Sequence, residues 1–301
     1  MHSNYSESQS EFGTPMELPR CGGWVLKRRI TSSDSHDIMG CYPLFFCKDW
    51  AKLSCDLEDI EEDTTANLVS LALVTDPFGE YDETCLRRCF RDVVIPFKEH
   101  FVVDLHRPPD TMVSAHHRYY SRKALKKLSV EECLEPLQFI DEWIALYGNL
   151  INRHNLDGIK AFSRESFARQ LAIPGTVMLR VMHQGVTVGA QIWFVQGEVG
   201  YSHLTALNET GYALRASYAL YWFAIEYFSG KVRWLDLGAG AGAKNDGRDG
   251  LSEFKRGWSD ETRTVYFCGR ILAPKKYAEI VNAKGIAATD YFPAYRKGEF
   301  G

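Results

Sequence analysis

A short basic stretch near the C-terminal end reads Gly250, Leu251, Ser252, Glu253, Phe254, Lys255, Arg256, Gly257, Trp258. A lysine held in a partly dry site can offset the negative charge that grows on a carbonyl oxygen under attack. By spacing alone, Lys255 reads as an ordinary helix-surface lysine. Groups that could take a proton lie nearby in sequence: Asp236 at the end of an apolar strand, His203 on the preceding strand, and Asp249 in the intervening loop. Each has a plainer role open to it. Asp236 can hydrogen-bond the loop that follows it, and a lone strand histidine is more often a satisfied core residue. Asn208, Gly211 and Ala213 form an Asn-x-x-Gly-x-Ala turn just before a helix. Backbone N–H groups at such a turn suit phosphate oxygens. Tyr201 and Tyr212 flank it, although a tyrosine on a sheet usually serves packing.

These residues need elements to position them. The strand 199–206, a helix over 215–228 that is apolar nearly all round, the strand 232–237, the glycine-rich loop 238–250 and the strand 262–272 form one continuous unit. Upstream, 177–182 and 187–196 read as an antiparallel hairpin turning at His183, Gln184 and Gly185. A long amphipathic helix is expected over 134–155, a helix capped by Ser163 over 163–171, and a last helix over 275–284. Nearer the N-terminus, strands are expected at 23–30, 67–74 and 99–105, with a helix over 82–96. The acidic stretch 56–65 reads as exposed, and the polar residues 1–18 as a disordered tail. A basic helix follows Pro108 and Pro109, with Asp110 or Thr111 as its cap. Its Arg118, Arg122, Lys123, Lys126 and Lys127 concentrate positive charge, either as a solvated face or as a phosphate-binding surface.

Composition bounds the class. At 301 residues the chain suits one large or two small domains. A hydrophobic content of 45%, a charged content of 25% and a net charge of −4 fit a globular protein and do not point to a general nucleic-acid binder. The eight cysteines form no Cys-x-x-Cys pair, and no third ligand joins the adjacent His116 and His117, so no metal is expected. No stretch approaches the ~18 apolar residues of a membrane span, the N-terminus is polar, and the expected compartment is the cytoplasm.

Two resemblances bear on function. Leu235, Asp236, Leu237, Gly238, Ala239, Gly240, Ala241 and Gly242 look like the glycine-rich motif of S-adenosylmethionine-dependent methyltransferases. That motif should open a doubly wound sheet, yet only about 60 residues follow it here. The stretch 250–258 instead resembles the Gly-Leu-x-x-Phe-Lys-x-x-Phe-Gly segment of the Fem-type peptidoglycan aminoacyltransferases and their acetyltransferase-like relatives in the GNAT superfamily. Trp258 and Ser259 stand where that family more often has Phe-Gly. Asn208 stands where the GNAT turn has Arg or Gln. The strand before Leu105 and the basic helix over 112–127 match in order and spacing, so the likeness spans roughly 70–272.

The resemblance implies an α+β fold: a GNAT-like mixed sheet flanked by helices, in two tandem lobes with the first diverged. After the tail 1–18, the lobes would be 19–133 and 134–301, the second carrying the donor site. It also implies an amide-forming N-acyltransferase without a metal. Lys255 would stabilise the oxyanion with Phe254 packed beside it, and Asp236 or His203 would act as base. Asn208, Gly211, Ala213, Leu214 and Arg215 would hold the donor. Arg118, Arg122, Lys123, Tyr201 and Trp258 would face substrate. Acyl-CoA is the favoured donor, with aminoacyl-tRNA as its rival, and the acceptor is a small-molecule or peptide amine. A methyltransferase and a non-catalytic binding protein of the same fold are the other readings.

Overall fold

The computed structural model describes residues 3–31, 33–154, 158, 161–241 and 249–299, apart from the Thr64 side chain. The chain divides into two compact units. One comprises Met1–Lys98 with Thr264–Gly301, and the other Glu99–Arg263. The division therefore departs from the expected 19–133 and 134–301: the C-terminal segment belongs with the N-terminal one, which no single cut along the chain anticipates.

The first unit carries β1 (Thr14–Leu18), β2 (Gly23–Arg29), β3 (His36–Gly40) and β4 (Leu68–Val74), followed in sheet order by β11 (Glu261–Ile271). The pairings β1–β2, β2–β3 and β4–β11 are antiparallel, and β3–β4 is parallel. β4 is apolar at every position but Ser70 and is buried on both faces, as a central strand must be. Helices α1 (Ser3–Ser8), α2 (Leu53–Glu62), α3 (Glu83–Cys89) and α11 (Pro274–Ala283) belong to this unit.

Several expectations are corrected here. Within the tail expected over 1–18, residues 3–18 are ordered. Tyr5 is buried and donates to Tyr42 O at 2.7 Å, Gln9 is held by the same backbone, and β1 pairs with β2. A few anchoring contacts outweigh the polar composition. The acidic stretch is exposed at Glu58, Asp59, Glu62 and Asp63 as expected, but most of it belongs to the helix α2, in which Leu53 and Leu57 face inward and buried Asp56 accepts from the N–H groups of Arg20 and Cys21. The helix expected over 82–96 ends at Cys89, and β5 (Val93–Asp104) runs through Pro96.

In the second unit the strand order is β5, β10 (Trp234–Asp236), β9 (Val199–Leu207), β8 (Val186–Gln196), β7 (Thr176–His183), β6 (Ser129–Cys133). Only β10–β9 is parallel. The β7–β8 hairpin turns on Gln184 and Gly185, at φ 51° and 79°. Positive φ at both central residues matches the twist of the flanking strands. The long helix expected over 134–155 is α6 (Ile140–His154), preceded by a short 3-10 turn that leaves Leu134 exposed. Asn155 lies outside the described residues. Ser163 caps α7 (Arg164–Leu171) as expected.

Helix α9 (Ala216–Phe228) buries Ala216, Ala219, Leu220, Tyr221, Ala224, Ile225 and Phe228 in a core shared with Trp193, Leu235 and Trp258. The basic helix is α5 (Ala115–Leu125). Its cap is Ser114, whose Oγ accepts from His117 N; Asp110 and Thr111 fall in the separate short helix α4 (Pro109–Met112). Among the described residues, no helix is long and apolar enough to cross a membrane, and no group of His, Cys, Asp or Glu side chains is arranged to hold a metal.

Candidate active site

The site begins where β10 ends. Asp236 sits opposite Val102 on β5 and Tyr201 on β9, and is almost fully buried. A buried carboxylate needs hydrogen-bond donors. Gly238 N donates to Asp236 Oδ1 at 2.7 Å, and His100 Nδ1 lies 3.0 and 2.9 Å from the two carboxylate oxygens. A carboxylate accepts, so Nδ1–H of His100 is the donor in this contact. Gly238 has φ +76°, which turns the chain away from the sheet.

Helix α10 (Gly250–Arg256) is packed over this corner. Asp249 caps it, with Oδ1 accepting from Leu251 N, Ser252 N and Ala241 N, and Oδ2 accepting from Ser252 Oγ. Burial pushes the Asp249 carboxyl up, but these hydrogen bonds outweigh it and hold the group at about 2. Asp249 is thus spent on the cap and is not a base. Lys255, 7% exposed, reaches back to donate to Ala239 O at 2.6 Å. A Cβ at Gly238 would stand 3.1 Å from Lys255 Nζ, so the ammonium rests against the bare backbone of the turn. The sequence allowed a surface lysine. The fold instead buries it at the corner that Asp236 and His100 support.

Phe254 packs edge-on to Tyr218 and Tyr221, with ring centroids 5.2 Å away in each case. Trp258 stacks on Tyr221 at 5.6 Å and is completely buried, so it is a core residue beneath α10 and not a substrate-facing one. His117 fixes the far side of the helix. Its Nε2–H donates to Phe254 O at 2.9 Å, and its Nδ1 lies 3.0 Å from Ser114 Oγ. Burial lowers its pKa, which keeps this neutral form. An open hollow of about 630 Å³ lies beside α10, lined by His116, His117, Tyr218, Phe254, Arg256 and Gly257 among others.

The close fit has a testable cost. A Cβ on Gly257 would fall 1.9 Å from His117 Cε1. Gly257→Ala is expected to destabilise the protein by about 1–3 kcal/mol, read as a lower urea midpoint at unchanged slope; an unchanged midpoint would contradict this packing.

The other expected site residues disperse. His203 Nε2 lies 3.0 Å from Gln170 Oε1, with its ring against Phe162 and Phe194. Burial holds its pKa at about 3, which marks a packed neutral imidazole rather than a base. This predicts a pH dependence. The unfolded chain binds a proton near 6.5 and the folded one only near 3. The contribution of His203 is full above 6.5 and shrinks as pH falls toward 3, so His203→Gln should flatten the loss of urea midpoint between about pH 7 and pH 5. An equal loss in both proteins would contradict it. Tyr201 is buried beside Asp236 in the sheet. Arg118 donates to the carbonyls of Asp110 and Val113. Arg122 and Lys123 are exposed.

The expected donor turn forms the short helix α8 (Glu209–Ala213). Asn208 Oδ1 accepts from Gly211 N at 2.9 Å, Tyr212 N donates to Asn208 O, Leu214 N to Thr210 O, and Arg215 N to Tyr212 O. A Cβ at Gly211 would meet Val188 O at 2.2 Å, so this glycine serves close packing of the turn on β8. Ala213 is exposed at the end of α8. Gly242 of the glycine-rich motif lies outside the described residues. The strand before that motif is three residues long and lies between an antiparallel and a parallel neighbour, which is not the opening of a doubly wound sheet.

His100 is the residue that sequence reasoning missed. It is 136 positions from Asp236, and only the pairing of β5 with β10 brings the two together.

No protein-family model and no curated protein matches the chain. Solved structures do. FemX aligns with a TM-score of 0.70 at 11% identity, over 92% of this chain and 93% of that one. The C-terminal domain of an Agrobacterium fabrum protein described as a lysylphosphatidylglycerol synthetase aligns at 0.65 and 13%, over 94% and 90%. L-PGS from Bacillus licheniformis aligns at 0.58 and 13%, over 94% and 96%. These likenesses extend over nearly the whole of each chain, so the protein shares the α+β fold of FemX, a mixed sheet flanked by helices.

Proposed function

We propose that the protein is an amide-forming acyltransferase that moves an aminoacyl group from aminoacyl-tRNA to an amine. The observation that carries this reading is the buried Lys255 ammonium seated on the Gly238–Ala239 backbone, beside the carboxylate that holds His100. In this scheme the amine attacks the ester carbonyl, a C–N bond forms, and Lys255 offsets the charge on the oxyanion. His100 Nε2 takes the proton released by the amine and returns it to the departing 3′ (or 2′) oxygen as the C–O bond breaks. Asp236 orients the imidazole and stabilises its charged form.

Two observations favour this donor over acyl-CoA. The N–H groups of Gly211, Tyr212, Leu214 and Arg215 are already taken within the turn, which leaves that segment a poor cradle for a pyrophosphate. FemX and L-PGS are among the solved structures that align over nearly their whole length, and the Fem-type resemblance implies aminoacyl-tRNA. Thermal-shift and filter-binding assays with aminoacyl-tRNA, CoA, acetyl-CoA and S-adenosylhomocysteine test it. A ligand that binds the native state raises its melting temperature. Binding of aminoacyl-tRNA alone is the expected result; a shift with CoA species alone would replace the donor.

A further inference from the structure

Resting on that reading of the donor, we infer that the exposed face of α5, together with the start of α9, is the surface that receives the single-stranded end of the tRNA. Single strands are held by cations that meet the phosphates and by aromatic faces on which bases stack. This face offers both. Arg122, Lys123, Lys126 and Lys127 are exposed at its C-terminal end, and among the described residues none of the four has a carboxylate within ion-pair distance. Arg215, also exposed, lies with its guanidinium carbon 3.7 Å from the centre of the Tyr120 ring.

The aromatic groups form a continuous row. Tyr119, 58% exposed, meets Tyr120 at 5.1 Å. Tyr120 meets His116 at 4.6 Å and Tyr218 at 5.5 Å, and these last two line the hollow beside α10. The row therefore leads from Tyr119, about one helical turn before Arg122 and Lys123, to the helix that carries Lys255. With 11 residues, α5 supplies a track of ~16 Å. A face built only to complement the helix dipole would need cations in its last turn, but not an aromatic row running back to a hollow.

The test is fluorescence anisotropy of the intact protein with labelled tRNA across a salt series. Arg122→Glu/Lys123→Glu/Lys126→Glu should weaken binding and make the slope of log K against log salt shallower by roughly 2, for three lost phosphate contacts. Tyr119→Ala should weaken it by about 5- to 100-fold through lost stacking. Lys275→Glu/Lys276→Glu, in the other unit, should leave binding unchanged. Melting temperatures near that of the wild type certify that each variant is folded. Wild-type affinity in the α5 variants overturns the surface while leaving the donor reading intact. No tRNA binding by the wild type overturns both. If the α5 variants lose only binding to vesicles containing phosphatidylglycerol, the face is a lipid surface and the inference fails.

Discussion

Lys255→Ala is expected to lower the rate of aminoacyl transfer about 100- to 1,000-fold, the loss seen when one oxyanion-stabilising donor is removed. Donor affinity should change little, because the ammonium is buried against the Gly238–Ala239 turn and acts when charge develops on the reacting oxygen. Lys255→Arg is the sharper comparison. It keeps the charge but enlarges the head group where a mere Cβ on Gly238 would stand 3.1 Å away, so most of the rate should still be lost. Single-turnover kinetics checks both. A wild-type rate in Lys255→Ala would remove the ammonium from the mechanism, whatever became of binding.

The second large effect is expected at His100. His100→Asn keeps an N–H donor for Asp236 but has no basic nitrogen, so it separates support of the strand from proton transfer. We expect a fall of about 100- to 10,000-fold in the rate of transfer, with the melting temperature and donor affinity little changed. A purely structural histidine would show the reverse: a lower melting temperature and a nearly unchanged rate in the folded fraction. Asp236→Asn should also be slow, since the side chain that fixes the tautomer and carries the countercharge is gone.

The elements that carry this chemistry were legible in sequence to different degrees. The basic helix, the β7–β8 hairpin, the nearly all-apolar α9 and the Phe254–Lys255 segment follow from local pattern, and the structure contains each of them. What local pattern could not supply is pairing across distance. Asp236 is joined to His100 over 136 positions, and Phe254 to His117 over 137. No spacing rule reaches that far. His203 attracted attention because it is near Asp236 in sequence, yet its strand turns the ring toward Gln170 and Phe162. The turn at Gly211 illustrates a different limit. Its glycine and helix start look like an anion cradle, but whether N–H groups are available depends on their partners, and here Asn208 and the turn carbonyls use them. The unit formed by Met1–Lys98 and Thr264–Gly301 was hidden for the same reason as His100, because its halves are remote in the chain.

The central claim is the bond that is made. Incubating the protein with tRNA carrying isotopically labelled amino acids and a pool of amine acceptors, then following the label by mass spectrometry, reads that bond directly. The account predicts a hydroxylamine-stable aminoacyl amide that forms with wild-type protein and is lost in Lys255→Ala. Label that stays on tRNA or appears only as free amino acid, while an acyl-CoA is consumed to acylate the same amine pool, would contradict it.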